Sequence, residues 1–253
     1  MSGLYRTLLN KQQQKKKSLA AFIDPDQLEE VTDTLRLISQ GIKYQIDYFL
    51  VGGSLITTNN LGEVIRTIKD ECDIPVILFP GSNLYIDASA DAILLLSIIS
   101  GRNPDLLIGQ HVVAAPVLKR SPLEIMATGY ILVNTGSIAS TTYLSHTTPI
   151  PHDKASVAAC TAMAGEMLGL RLIYLDAGTE AERAIDPKMI SAVRKSVDIP
   201  LIVGGGINNR YQASRAYEAG ADVIVVGGIE HTAENVLPEI AEITQQLNKG
   251  KSE

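Results

Sequence analysis

Short runs of apolar, often β-branched residues alternate along the chain with longer amphipathic stretches. Such runs are typical of parallel strands that are buried on both faces. They predict eight strands, at residues 19–23, 48–51, 75–79, 92–96, 130–133, 172–175, 201–203 and 223–226. Helical periodicity fills most of the intervals, at about 28–40, 60–70, 104–119, 152–169, 187–196, 209–219 and 234–248. Strands and helices in this order predict an α/β fold, a (β/α)8 barrel of the TIM type.

Two intervals depart from the alternation. Only about 12 residues separate the third and fourth predicted strands, and their Gly, Ser, Asn and Asp content predicts a loop. We therefore expect one barrel helix, the one after strand 3, to be missing or replaced by a loop, which leaves part of the strand layer uncovered. Residues 141–151 are rich in Ser, Thr, His and Pro and are predicted to form a loop after the fifth strand. On a barrel, such a loop lies at the catalytic face.

The composition fits one folded unit. The 253 residues are 45% hydrophobic and 20% charged, so we expect a single barrel domain over 1–253 with a short helical extension at about 1–17. A formal charge of −6 argues against nucleic acid as a partner. Cys72 and Cys160 match no metal-ligand spacing and are interpreted as reduced core thiols of a cytoplasmic protein.

The sequence predicts neither a signal peptide nor a membrane span, because its longest apolar run, 92–99, is far too short. The basic cluster between Lys11 and Lys17 has two interpretations. It could touch an anionic membrane, or it could be the solvated end of a helix. We therefore expect at most a peripheral membrane contact.

Two glycine clusters provide the strongest chemical signal. Residues 204–206 follow the seventh predicted strand, and Gly227 and Gly228 follow the eighth. Glycine has no Cβ, so backbone N–H groups at these positions can approach a phosphate closely. Loops after strands seven and eight are a frequent phosphate site in barrel enzymes. The alternative is that these glycines serve only tight turns.

Polar side chains also follow other strands at the same end of the barrel. Asp24 is a candidate Mg²⁺ ligand, and Ser54 could add a hydroxyl or occupy a simple turn. Asp26 is placed to cap the helix that follows. Asp176 could accept a proton from a substrate hydroxyl, and Tyr174 could bind substrate or line the barrel.

Taken together and in this order, these residues resemble the geranylgeranylglyceryl phosphate synthase family, prenyltransferases with a modified (β/α)8 barrel. The resemblance covers nearly the whole chain. Besides the two glycine clusters, it is carried by Phe22-Ile23-Asp24-Pro25-Asp26, Val51-Gly52-Gly53-Ser54, Phe79-Pro80-Gly81, Ser100-Gly101-Arg102-Asn103-Pro104, Gly109-Gln110-His111 and the segment from Tyr174 to Gly178.

The resemblance implies Mg²⁺-dependent transfer of a geranylgeranyl group from geranylgeranyl diphosphate to the 3-hydroxyl of sn-glycerol 1-phosphate, in ether-lipid biosynthesis. Asp24 and Ser54 would bind the Mg²⁺ that pairs with the diphosphate, and Asp176 and Tyr174 would be catalytic. The implied glycerol phosphate site consists of Tyr174, Leu175, Asp176, Ala177, Gly178, Thr179, Glu180, Gly205, Gly206, Gly227 and Gly228. Family members form dimers or larger rings, so a homo-oligomer, a dimer or a hexamer, is expected.

The chain departs from the family pattern at several positions. The family usually has glutamate at position 176, and Thr179-Glu180 replaces a more usual Ser-Gly. Related bacterial enzymes with a longer donor carry lysine where this chain has Phe22, which favours the geranylgeranyl donor. Two alternative functions remain, another phosphate-binding barrel enzyme of the isomerase or aldolase type and a barrel that binds phosphate or prenyl diphosphate with weakened catalysis.

The hydrocarbon of a C20 donor needs an apolar groove. We place that groove at the uncovered side of the barrel after the third strand. Its predicted lining residues are Leu106, Leu107, Ile108, Val112 and Val113.

Overall fold

The computed structural model describes residues 3–136, 140–179, 181–227 and 229–249. Its strands are β1 Ser18–Ile23, β2 Tyr48–Gly53, β3 Val76–Pro80, β4 Ala92–Ile98, β5 Glu124–Asn134, β6 Ile150–Pro151, β7 Leu172–Asp176, β8 Leu201–Gly204 and β9 Val223–Val226. Apart from the two-residue β6, the strands pair in parallel in the order β1-β2-β3-β4-β5-β7-β8-β9, and β9 returns to β1. This closed eight-stranded barrel confirms the predicted fold.

Helices surround the barrel on all sides but one. They are α1 Leu4–Gln13, α2 Val31–Tyr44, α3 Leu61–Glu71, α4 Gln110–Arg120, α5 Ser140–Ser145, α6 Ala155–Met167, α7 Pro187–Arg194, α8 Arg210–Ala219 and α9 Ile229–Lys249. A π-helical turn, Asp105–Gly109, leads directly into α4. Residues 81–91, between β3 and β4, contain no helix, as predicted. The outer face of the sheet is therefore open beside β4.

Side chains alternate between two cores because successive strand residues point to opposite faces. In β1, Ala20 and Phe22 lie inside the barrel, whereas Leu19, Ala21 and Ile23 pack in the core beneath the helices. Continuous burial of all six β1 residues explains why the strand is apolar throughout. By the same parity, the residue after Ile23, Asp24, is directed towards the barrel mouth.

Helix α1 lies at the opposite, amino-terminal end of the barrel. Its Leu8 is buried in the inner core, and Glu124 at the start of β5 accepts a hydrogen bond from the Tyr5 backbone at 3.1 Å. The basic cluster after α1 is partly engaged. Lys11 forms an ion pair with Asp47, and the Lys17 ammonium donates to the Ala221 carbonyl at 2.6 Å. These contacts anchor Lys11 and Lys17 to the barrel, so the cluster is not simply the solvated end of a helix.

Two expectations from the sequence are wrong in detail. Residues 141–151 are not a simple loop, because they contain most of α5 and the short β6, which pairs with the end of β5. Cys160 is not a core thiol. It is exposed on α6, and Cys72 is partly buried, while both are free. No helix in the described part of the chain is long and apolar enough to span a membrane.

Candidate active site

One cavity opens at the carboxyl ends of the barrel strands and extends along the side that lacks a helix. It encloses about 1170 Å³, open solvent at its mouth included. Its polar part contains Asp24, Ser54, Asp176 and Thr179, which come from three strand ends, those of β1, β2 and β7. Four of the residues predicted from the sequence to form the site thus line one space.

Asp24 and Ser54 line the cavity where β1 and β2 end. Asp24 Oδ1 accepts a hydrogen bond from the Asp26 amide at 3.0 Å, which caps the short 3-10 turn Pro25–Gln27. A Cβ added to Gly53 would lie 3.5 Å from Asp24 Oδ1, so the two strand ends are close together. Burial raises the pKa of Asp24, and the nearby charge of Asp26 raises it further. The hydrogen bond from the Asp26 amide lowers this pKa but does not cancel the effect of burial.

Asp26 has a different role from the one predicted. It does not cap α2, whose N-cap is Glu30 in a capping box with Asp33. Its carboxylate accepts four hydrogen bonds of 2.5–3.0 Å from the amides and hydroxyls of Thr57 and Thr58. Burial opposes ionisation, but these bonds outweigh it and lower the pKa of Asp26 to about 2. Asp26 therefore ties the loop after β1 to the loop after β2 and holds Asp24 in place.

Asp176 ends β7 and is buried at the base of the polar part of the cavity, 7% exposed. Its Oδ2 accepts a short hydrogen bond from the Tyr130 hydroxyl, and its Oδ1 accepts one from the Gly178 amide at 3.0 Å. Burial raises the pKa of Asp176, while the bonds from Tyr130, Gly178 and Ala177 favour the ionised form. A buried carboxylate held in this way is suited to proton transfer.

Tyr174 lies one layer below Asp176, inside the barrel. It is 2% exposed and stacks on Phe79, with ring centroids 5.3 Å apart, while Tyr130 meets it edge-on at the same separation. A Cβ on Gly204 would lie 2.5 Å from the Tyr174 hydroxyl, so this ring needs a glycine on β8. Leu175 has the opposite parity and belongs to the outer core. Tyr174 therefore supports the floor of the site in this structure.

The glycine loops after β7 and β8 pack directly against each other. Gly178, Gly205 and Gly206 have φ values of +88°, +80° and +68°, which disfavour any residue with a Cβ. A Cβ on Gly205 would lie 2.7 Å from the Gly178 backbone. Within the described ranges, the amides of Gly205 and Gly206 donate to no protein acceptor. The loops thus present backbone donors of the kind that bind phosphate.

Gly227 follows β9 and lies above the aromatic floor of the barrel. A Cβ there would be 3.4 Å from the ring of Phe22. Ala177 is buried, and Thr179 lines the cavity. Glu180 and Gly228, the other two members of the predicted phosphate site, lie outside the described residues.

The apolar arm of the cavity runs along the outer face of β4. Ile93 belongs to the core beneath the helices, and Leu95 packs against that core. Both side chains line the cavity on the side of α4, because no helix follows β3. From the π-helical turn and α4 come Leu106, Gln110, Ala114 and Leu118, spaced four residues apart, as expected for one helical face. This arrangement confirms an apolar groove at the uncovered side of the barrel.

The individual groove residues were predicted less well than the groove itself. Leu106 lines it, but Ile108, Val112 and Val113 are 60%, 65% and 65% exposed on the opposite face of the same helical segment. Leu107 is partly buried and does not line the cavity either. Helical geometry explains Ile108 and Val112, since each is two positions from Gln110 and residues two apart in a helix point in nearly opposite directions.

Comparison with known proteins identifies the family. The model of the PcrB family matches residues 11–244. The chain belongs to the PcrB family. A geranylgeranylglyceryl phosphate synthase of Spirosoma linguale is 53% identical over 92% of this chain and 94% of its own length. One of Thermococcus gammatolerans is 37% identical over 98% of this chain and 97% of its own.

A solved structure of a geranylgeranylglyceryl phosphate synthase has the same fold. The (S)-3-O-geranylgeranylglyceryl phosphate synthase of Thermoplasma acidophilum, in complex with its substrate sn-glycerol-1-phosphate, superposes with a TM-score of 0.90 at 30% identity, over 97% of this chain and 100% of that one. Family and fold together confirm the expectation of an enzyme of the geranylgeranylglyceryl phosphate synthase type.

Two polar groups in the site of this PcrB-family chain have no role predicted from the sequence. Tyr130 is predicted only as the start of a strand, and its contact with Asp176 joins positions 46 residues apart. His111 lines the cavity with Nε2 3.0 Å from the buried Ser97 hydroxyl. Burial lowers the pKa of His111. A Tyr at the start of an apolar run is one signal that could have pointed to Tyr130, since buried tyrosine hydroxyls need partners.

Proposed function

We propose that this protein transfers a geranylgeranyl group from geranylgeranyl diphosphate to the 3-hydroxyl of sn-glycerol 1-phosphate, in a Mg²⁺-dependent reaction. The observation that carries the proposal is the continuity of one cavity. Asp24, Asp176 and Thr179 line its polar part, and an apolar groove leads away from them along β4. Thr179 belongs to the glycine loop after β7, against which the Gly205 loop packs. An acceptor with a phosphate and a donor with a long hydrocarbon would meet between these two parts.

The acceptor phosphate would bind at the glycine loops after β7, β8 and β9. Gly205 and Gly206 supply backbone N–H groups beside this site, and neither they nor Gly178 carry a side chain that would block an approaching anion. The glycerol hydroxyl would then face Asp176 and Thr179, which line the cavity beside these loops. The similar enzyme from Thermoplasma acidophilum, whose substrate is sn-glycerol 1-phosphate, supports this acceptor.

The donor diphosphate would bind at the ends of β1 and β2. Asp24 and Ser54 supply a carboxylate and a hydroxyl there, which suits Mg²⁺, an ion that takes oxygen ligands and shares its coordination with substrate phosphates. The described residues contain no group of three or more acidic, His or Cys side chains that could hold a metal by themselves. The donor set thus fits an ion bound jointly with the diphosphate, which stabilises the departing negative charge.

The hydrocarbon of the donor would occupy the apolar groove. Ile93, Leu95, Ala114 and Leu118 line it, and each buried CH₂ group contributes roughly 0.8 kcal/mol to binding. Phe22 lines the same cavity, two residues before Asp24. Its ring would help to exclude bulk water from the reacting allylic carbon.

Asp176 would act as the base. In the reaction, the bond between the allylic carbon and the diphosphate oxygen breaks, and its electron pair leaves with the diphosphate. The glycerol oxygen forms the new bond to that carbon, and its proton moves to Asp176. Because aspartate is one methylene shorter than the usual glutamate of the family, the acceptor hydroxyl must come close to the buried end of β7.

The test is a transfer assay with purified protein, labelled sn-glycerol 1-phosphate, Mg²⁺ and prenyl diphosphates of several lengths. We expect product with the C20 donor, its loss with a chelator, and a loss of at least about 100-fold in kcat for Asp176→Asn. Glycerol phosphate binding without product would instead favour a barrel with weakened catalysis. Turnover of a sugar or triose phosphate without any prenyl donor would favour an isomerase or aldolase.

We also propose that the protein is a cytoplasmic homo-oligomer, a dimer or a hexamer. This proposal rests on membership of the family and on the exposed apolar side chains of α4. Val112, Val113 and Val117 of this helix are 65%, 65% and 49% exposed. Contiguous exposed apolar surface of this kind is typical of protein interfaces.

A further inference from the structure

We propose that Tyr130 is a positioning residue for the base Asp176, and that Thr141 of α5 positions Tyr130 in turn. This inference rests on the proposed function of Asp176. Tyr130 is buried, 2% exposed, in the middle of β5, and its hydroxyl donates to Asp176 Oδ2. Thr141 lines the same cavity as Tyr130, and its side chain interacts with the Tyr130 hydroxyl. Through Tyr130, the helix α5 beside the cavity is thus connected to the end of β7.

The geometry assigns each oxygen of Asp176 a separate partner. Oδ1 accepts from the Gly178 amide at 3.0 Å, and Gly178 belongs to the same loop as the proposed phosphate site. Oδ2 accepts from Tyr130 on the neighbouring strand. The carboxylate plane is thus fixed between β5 and the β7 loop. A base that is one methylene shorter than glutamate tolerates little misplacement, because catalysis depends on a near-attack geometry.

The surroundings of Tyr130 keep its ring in place. Phe79 and Tyr174 meet it edge-on, with centroid separations of 5.8 and 5.3 Å. Removing only the hydroxyl should therefore preserve the packing. Because Asp176 is buried, its ionisation depends on the hydrogen bond from the Tyr130 hydroxyl. A buried carboxylate without this donor is harder to ionise. Among the described residues that line the cavity, Asp24 and His111 are the other titratable groups.

The experiment compares the pH dependence of kcat/KM for the wild type and Tyr130→Phe, at saturating Mg²⁺. Asp176 must be ionised to accept a proton, so activity falls on the acid side of its pKa. The Tyr130 bond lowers that pKa. We therefore expect Tyr130→Phe to move the acid limb upward by about one pH unit and to reduce kcat more than it raises KM. Thr141→Val should shift the limb in the same direction by less.

Tyr217→Phe is the matched control for a purely structural loss. Its buried hydroxyl donates to the Ser18 carbonyl at 2.8 Å, at the other end of the barrel. This variant should lower stability and leave the acid limb in place. The proposal would be overturned if the acid limb of kcat/KM for Tyr130→Phe lay at the same pH as that of the wild type. An equally large shift of the acid limb in Tyr217→Phe would overturn it as well.

A second readout does not depend on activity. The carboxyl carbon of Asp176, labelled with ¹³C and assigned with Asp176→Asn, should titrate at higher pH in Tyr130→Phe and Thr141→Val than in the wild type. If the wild type proves inactive with every prenyl donor, the proposed function fails, and the titration still decides whether Tyr130 controls Asp176. Unchanged titration in both variants contradicts the inference even in an active enzyme.

Discussion

At the scale of single residues, the close approach of two loops explains why position 205 must be glycine. Gly205 has a φ of +80°, and an added Cβ would meet the Gly178 backbone at 2.7 Å. We expect Gly205→Ala to lower the free energy of unfolding by about 2–3 kcal/mol, because neither backbone can yield easily. It should also raise the KM for glycerol phosphate roughly tenfold or more, since the amide nest is displaced. Chemical denaturation and steady-state kinetics measure the two effects.

Gly169 provides the matched control for backbone strain alone. Its φ is +91°, and a Cβ there would meet nothing within 4 Å. Gly169→Ala should cost only about 1 kcal/mol of stability and leave the KM for glycerol phosphate unchanged. Equal losses in the two variants would show that the contact between the loops contributes nothing.

The sequence located the residues of the site more reliably than it assigned their roles. Asp24 and Asp176 could be placed at the mouth because both follow apolar strands, and strand direction fixes where such residues lie. The contacts of Asp26 with Thr57 and Thr58, and of Tyr130 with Asp176, depend on which loops and strands are neighbours in space. No spacing along the chain encodes that information.

At the scale of elements, the missing helix after β3 determines what the groove can hold. Ala114 is 5% exposed and lines the groove wall opposite β4. Ala114→Leu should fill part of the apolar arm. We expect the ratio of kcat/KM for a C15 donor to that for the C20 donor to rise by about tenfold or more, since a pocket discriminates by roughly 1–3 kcal/mol per methylene. Competition between the two diphosphates measures this ratio directly.

Ala115 is the control for this prediction because it occupies the next position of α4 and is exposed. Ala115→Leu adds the same atoms to the same helix, outside the groove. It should leave the donor preference at the wild-type value. If both variants keep the C20 preference, the hydrocarbon lies elsewhere and the assignment of the groove is wrong.

Elements with a strong apolar pattern were predicted well, and elements without one were not. The eight barrel strands were found because each contains an uninterrupted apolar run. The start of β5 was placed at residue 130, whereas the strand begins at Glu124, because Glu124, Thr128 and Gly129 interrupt the run. Helix α5, Ser140–Ser145, was missed because its Ser and Thr residues have low helix propensity and show no periodicity.

At the scale of the whole molecule, barrel closure could be predicted because alternating strands and helices leave few other topologies. The assembly of several copies could not, since an interface depends on exposed residues that have no periodic partner within the chain. The structure narrows the choice of surface. Ile108, Val112, Val113 and Val117 lie together on the outer side of α4 and its preceding turn, facing away from the groove.

This surface leads to a prediction about mass in solution. We expect light scattering to give a multiple of the chain mass of 27.2 kDa, and Val113→Asp to shift the mass towards the single chain. A buried unpaired carboxylate in an interface costs several kcal/mol, enough to dissociate an assembly of moderate affinity. Tyr211→Asp, on the 73% exposed side chain of α8, is the control and should keep the wild-type mass. A measured mass of 27.2 kDa for the wild type would rule out an oligomer. If Val113→Asp kept the oligomeric mass of the wild type, the interface would have to lie on another face of the protein.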